Sequence, residues 1–316
     1  MVVENPNSQD KQQEKHMATI AAKNQKVQGI ADIIFLLDAT GSMASCINDV
    51  KENVARFLES LKNPENPQEV KPIRDWRAAV YGYRDVEADG ADNWLVTNPF
   101  TRSPEEVRSQ LAALVATGGG DEPEDLLDAL NKIAELGESA KGGTEDAWKW
   151  RYHTQAARCV VVFTDATFHG CSEDGMAFVR RLASDSSKTG EDVVNAILQN
   201  KLRVSIYAPD FSGFGWHGYA KLDDAVDKLE YEAIPIASDN DPQRALAEFT
   251  GDKAHFKKTL EQLAKSVSAS AEAETLDESE SVDAADGGSP SGTPDAFVES
   301  SDMGMGAFPS EAPPDC

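Results

Sequence analysis

Between about Ala31 and Ser268, continuous apolar runs alternate with segments whose apolar residues recur every three or four positions. Runs of the first kind, such as Ile33–Leu37 and Cys159–Phe163, read as strands covered on both faces, because a half-exposed strand would alternate polar with apolar. Segments of the second kind read as amphipathic helices: Ile47, Val50, Val54, Phe57, Leu58 and Leu61 mark one over Ala44–Leu61. Strands that alternate with helices form a parallel sheet between two helical layers. The pattern therefore predicts an α/β fold, a doubly wound and mostly parallel six-stranded sheet with helices on both faces.

The six strands are predicted at Ile33–Asp38, Arg77–Tyr83, Trp94–Phe100, Cys159–Phe163, Leu202–Tyr207 and Ala233–Ile236. Trp94–Phe100 follows Tyr83 after only a short acidic loop, so it is expected to turn back antiparallel on an edge. Ser103 and Pro104, followed by Glu105 and Glu106, have the order of a cap, a first-position proline and first-turn acids, and predict a helix to Val115. Pro123 is expected to open a helix through Leu136, and further helices are predicted over Asp192–Gln199, Ala220–Leu229 and Lys253–Ser266. Asp210–Tyr219, rich in Gly, Ser and aromatic residues, reads as a loop.

Composition changes at both ends. Residues 1–27 are polar and carry no apolar core of the kind a signal peptide needs, so this segment is expected to be flexible and the protein cytoplasmic. From 269 to 316 there are about a dozen Asp or Glu and no Lys or Arg among Ser, Gly, Pro and Ala, which predicts a disordered acidic tail. The folded domain is thus expected at 28–268. A net charge of −25 disfavours nucleic acid and anionic membrane as partners, since both would repel the surface. Cys46, Cys159, Cys171 and Cys316 are scattered without a CxxC pair and suggest neither a zinc site nor a disulfide scaffold.

In open parallel sheets, ligands bind beyond the carboxyl ends of the strands. Asp38 and Asp165 each close a predicted strand. In Asp38-Ala39-Thr40-Gly41-Ser42, alternate side chains of one extended turn present a carboxylate and two hydroxyls to the same side. Hard oxygens of this kind suit Mg²⁺ or Mn²⁺. Carboxylates ~4 Å apart repel by roughly 4 kcal/mol at an effective dielectric near 20, so gathered acids need compensation from a cation, from Arg84 or from a proton.

Asp38-Ala39-Thr40-Gly41-Ser42 resembles the DxTxS signature of von Willebrand factor A domains, which form a metal-ion-dependent adhesion site. Asp165, in Phe163-Thr164-Asp165-Ala166, matches that family's later aspartate at the end of its fourth strand. Thr117-Gly118-Gly119-Gly120-Asp121-Glu122-Pro123-Glu124 is similar to the GGGDxPE segment of a subgroup found in hemicentin-like proteins and atypical alpha-kinases, and Tyr83-Arg84-Asp85 resembles a further segment of the same subgroup. The resemblance spans about 28–268. It implies a divalent ion held by Asp38, Thr40, Ser42, Asp121 and Asp165, and a partner protein whose Asp or Glu completes the shell. Asp121 stands where most members carry a threonine, and it acts as a ligand, through water, or as a helix cap.

Simpler roles stand beside these. Thr40 and Ser42 can cap the next helix, and His169 can shape its loop or line the site's rim. Phe211, Phe214, Trp216 and Tyr219 suit a partner surface or a core equally. The expected function is non-enzymatic binding. Two alternatives remain: a magnesium-dependent phosphohydrolase of the haloacid dehalogenase type with Asp38 as nucleophile, and a scaffold acting through its acidic tail.

Overall fold

The computed structural model describes residues 29–62, 73, 75–120, 122–237, 240–252, 258, 262–267 and 269. The expected N-terminal segment 1–27, the acidic tail from 270 onward, Asp121 and most of the helix expected over Lys253–Ser266 lie outside the described residues.

Six strands form one sheet in the order β3-β2-β1-β4-β5-β6, with β1 at Ile30–Asp38, β2 at Asp75–Tyr83, β3 at Leu95–Val96, β4 at Ala157–Phe163, β5 at Leu202–Pro209 and β6 at Leu229–Ile234. Every pairing is parallel except that of β3 with β2. The predicted architecture is thus the observed one. Side chains of successive strand residues point to opposite faces. Ile33, Phe35 and Leu37 therefore join one core with Cys159, Val161 and Phe163, whereas Ile34 and Leu36 join the other with Val160 and Val162.

Helices cover both faces. On the first face lie α1 (Ile47–Lys62), α3 (Pro104–Ala113) and α7 (Pro242–Gly251). On the second lie α4 (Leu126–Ala134), α5 (Gly190–Gln199) and α6 (Gly218–Ala225), while α2 (Val86–Asp89) is a single turn after β2. The Ser103 cap acts as expected, Ser103 Oγ accepting from Glu106 N, and α5 starts where Thr189 N and Oγ1 donate to Asp192 Oδ2.

Several boundaries differ from the sequence reading, the first helix starting at Ile47 after a 3-10 turn at Gly41–Ser45 among them. The antiparallel edge strand shrinks from Trp94–Phe100 to two residues, because side chains take over the edge of β2: Asn98 Nδ2 donates to Val80 O, and Val80 N donates to Gln110 Oε1. Pro99, which has no N–H to give a ladder, follows directly. The helix expected to open at Pro123 starts at Leu126, because Glu124 is drawn into a backbone bridge with the loop after β4. Leu229 opens β6 instead of ending a helix, and Asp210–Tyr219 holds a 3-10 turn at Phe211–Phe214 and the start of α6.

At the amino end of the sheet, Asp32 on β1 is fully buried and ion-paired to Arg77 on β2 and to Arg151 before β4. Arg77 Nε and Nη2 donate to its two oxygens at 3.0 and 2.6 Å, and Arg151 N and Nε add bonds at 2.8 and 2.7 Å. All lone-pair directions of this buried carboxylate are thereby used, which is the condition under which a buried ion pair is tolerated.

Candidate functional site

The carboxyl ends of β1 and β4 are neighbours in the sheet, with Leu37 opposite Phe163, so the residues that follow them meet at one place. After Asp38 the chain leaves the sheet through Ala39, whose N–H donates to Tyr83 O on β2 and whose carbonyl accepts from Thr117 N. Gly41 N then donates to Gly118 O. Arg84 fastens the same three segments, donating to the carbonyls of Ala39, Asn93 and Val115. The arginine that the sequence offered as charge compensation is therefore committed to backbone carbonyls.

Four side chains form a continuous chain of oxygens. Asp38 Oδ1 accepts from Thr40 N at 2.9 Å and from Thr40 Oγ1 at 2.6 Å. Thr40 Oγ1 lies 2.9 Å from Ser42 Oγ, and Ser42 Oγ lies 2.9 Å from Asp165 Oδ1. Thr164 Oγ1 donates to Asp38 Oδ2 at 2.8 Å and itself accepts from Ala166 N. Asp165 Oδ2 is buried and has no partner. Of the predicted ligands, Asp38, Thr40, Ser42 and Asp165 are thus brought together.

With both carboxylates ionised, the chain is one hydrogen short. Its three oxygen–oxygen contacts need three hydrogens, and two hydroxyls supply two. With both carboxylates ionised, one contact has nothing between its oxygens. Burial accordingly raises the pKa of Asp38, against hydrogen bonds from Thr40 and Thr164 that lower it. Burial first, and then the charge of Asp38, push Asp165 up to about 7.

Thr40, Ser42 and Asp165 border a cavity of about 250 Å³, lined also by Gly118–Gly120, Glu122, Glu124 and the segment Asp241–Gln243 at the start of α7, whereas Asp38 and Thr164 are fully buried and do not line it. Gly119 must be a glycine here: its φ is +71°, and a Cβ would lie 2.9 Å from both Cβ and Cγ2 of Thr40. Asp89 Oδ2 accepts from Gly119 N at 2.8 Å and fixes this loop from the other side. Among the described residues, no group of three or more His, Cys, Asp or Glu is arranged to hold a metal ion. Among the described residues, the oxygens gathered here belong to two carboxylates and two hydroxyls.

Glu124 and Thr164 were read in the sequence only as members of longer motifs, and Asp241 was not singled out. Glu124 is 6% exposed and its Oε2 lacks a partner. Burial, followed by the charges of Asp38, Asp85, Asp125 and Asp165, raises it to about 9. It is held by two backbone bonds, Glu124 N to Thr167 O and His169 N to Glu124 O. His169 shapes this loop and is not among the cavity-lining residues. Thr164, adjacent to Asp165, was visible only as the end of a strand. Asp241 is the N-cap of α7, its side chain accepting from Arg244 N.

The aromatic residues divide. Phe211 and Tyr219 are buried and pack with Trp216 around Phe168, and Tyr219 OH donates to Ala166 O beside the cavity. Phe214 alone of the four is exposed, at 53%. Among the described residues, no helix is long and apolar enough to cross a membrane.

No protein-family profile matches the chain. It is 28% identical over 147 residues to the alpha-protein kinase vwkA of Dictyostelium discoideum, a match that covers 46% of this chain. Two crystal structures of the pilus adhesin SpaC from Lactobacillus rhamnosus GG, one an open conformation, align over 75% of this chain at 13% and 12% identity, with TM-scores of 0.43 and 0.42. They cover 31% and 30% of the adhesin. The matched part of this chain corresponds to 20% of the curated kinase.

Proposed function

We propose that this chain is a divalent-cation-dependent protein-binding module of the von Willebrand factor A type. Mg²⁺ or Mn²⁺ would be held by Asp38, Thr40, Ser42 and Asp165, with Asp121 contributing directly, through water, or only as a cap. An Asp or Glu from a partner protein would complete the shell. When bound, the ion supplies a fixed positive charge with an open coordination position for that carboxylate.

The observation that carries this proposal is the convergence of the oxygens of Asp38, Thr40, Ser42 and Asp165 with one hydrogen too few between them. A cation among these oxygens would offset both carboxylates, leave each hydroxyl an acceptor toward the ion, and give Asp165 Oδ2 a partner. Every donor is a hard oxygen, which suits magnesium and manganese and not soft metals. The sequence motifs support the same set, and the similarity to a kinase named vwkA is consistent with it.

Phosphoryl transfer at Asp38 has less support. No lysine lines the cavity.

The test is capture of partner proteins on immobilised chain in Mg²⁺, in EDTA, and with Asp38→Ala. Loss of the same prey in the last two arms supports the proposal. Prey indifferent to both would sink it, and prey lost only on removal of 269–316 would transfer the function to the acidic tail.

A further inference from the structure

Resting on the metal-dependent reading above, we infer that Gln243 is a specificity-determining residue of the site: its side-chain amide donates to the oxygen of the partner's carboxylate that does not touch the ion. The donor favours a carboxylate over a hydroxyl or a carbonyl, since these bring one oxygen only and gain nothing from it.

A carboxylate that enters the shell through one oxygen leaves its second oxygen in the cavity, where it loses water as the partner closes over it. An acceptor stripped of water and given no donor is costly. The wall supplies few donors. The hydroxyl hydrogens of Thr40 and Ser42 are directed to Asp38 and Asp165, and no Lys, Arg or His lines the cavity. Glu122 and Asp241 add acceptors, and Glu124 is only 6% exposed. Of the side chains that line the cavity, Gln243 alone carries an N–H.

The fold holds this amide beside the ion's place. Gln243 is exposed and follows Pro242, which opens α7 behind the cap Asp241. Asp241 Oδ1 accepts from Arg244 N at 3.1 Å, so the cap uses a backbone N–H and not the Gln243 amide. Leu246 and Phe249 of the same helix are buried in the core that holds Met43 of the 3-10 turn Gly41–Ser45, which fixes the start of α7 near the turn that carries Ser42. Among the described residues, the Gln243 amide has no hydrogen-bond partner and is free for a ligand.

The test uses the full chain and a displayed library of random-sequence peptides, bound in millimolar Mg²⁺ and eluted with EDTA; the most enriched acidic peptide is then made synthetically. Gln243→Ala is expected to bind it roughly three- to tenfold more weakly, and Gln243→Glu more weakly still, because an acceptor then faces an acceptor. Gln243→Arg, which keeps N–H donors at this position, should bind the peptide at least as tightly as the parent once Mn²⁺ saturates. Mn²⁺ affinity without peptide, titrated by electron paramagnetic resonance, should be the same for Gln243→Ala as for the parent, whereas a residue that merely supports the ion site would lower both. An unchanged peptide affinity in folded Gln243→Ala, or an equal fall in its Mn²⁺ affinity, would overturn the role of Gln243 and leave the metal reading standing. An eluate with no enriched acidic peptides would overturn both.

Discussion

Ser42 and Asp165, 123 positions apart in the chain, meet at 2.9 Å through a hydroxyl and a carboxylate oxygen. This contact joins the turn after β1 to the turn after β4, and neither segment alone collects enough oxygens to surround an ion.

Ion binding should therefore stabilise the whole fold. Mg²⁺ or Mn²⁺ at about 100 times its dissociation constant is expected to add about 2.7 kcal/mol to the unfolding free energy, read as a rise in the thermal midpoint. Asp38→Asn and Asp165→Asn should each remove the rise. A parent protein whose midpoint ignores both ions would end the metal reading.

Gly119→Ala is expected to cost roughly 1–3 kcal/mol, because the residue adopts a positive φ and the added methyl meets Thr40. Thr40 must then move away from Asp38, so Mn²⁺ affinity should fall as well. Urea unfolding and Mn²⁺ titration monitored by electron paramagnetic resonance measure the two effects separately; a variant with parental stability and affinity would show that the close approach is not needed.

At the opposite end of β1, Asp32→Ala leaves Arg77 and Arg151 buried without their main partner, and is expected to cost about 3–5 kcal/mol. Denaturant unfolding decides: a loss below about 1 kcal/mol, the range of an exposed pair, would mean that the two guanidinium groups find other partners.

Asp125 gives a pH signature outside the oxygen chain. Burial raises it to about 7 despite its bond from Val86 N, with Asp128, Asp85 and Glu87 adding to the rise. An acid raised in the folded state favours folding below its unfolded pKa of 3.8, and that contribution is lost as pH rises through about 7. Relative to Asp125→Asn, the parent should therefore lose stability between those two values, by at most about 1.4 kcal/mol per pH unit. Parallel stability profiles for the two proteins would remove the claim.

The central sheet was legible because β1, β2 and β4 are covered on both faces and carry the apolar runs Ile33–Leu37, Ala78–Tyr81 and Cys159–Phe163, while β5 alternates Leu202, Val204 and Ile206 with the half-buried Arg203 and Ser205. β6 was misplaced for the converse reason: it is an edge strand with only Leu229 and Ile234 buried, and its polar middle hid the boundary with α6. β3 was overdrawn because nothing in Trp94–Phe100 announces that the side chains of Asn98 and Gln110 will replace its ladder. In the site, Asp38, Thr40, Ser42 and Asp165 could be named from a local motif and a strand end. Glu124 could not be assigned a role, since its burial depends on a backbone bridge to Phe168, far away in sequence. Asp241 reaches the cavity because α7 packs beside the 3-10 turn Gly41–Ser45.

Asp32 and Asp38 lie on the same strand, about 20 Å apart at the usual rise of ~3.3 Å per residue. One end is riveted by two arginines and the other opens into exchangeable loops. Changes at such separations add independently. Substitutions at the mouth should therefore subtract only their own cost from the stability of the fold and leave the contribution of the riveted end unchanged.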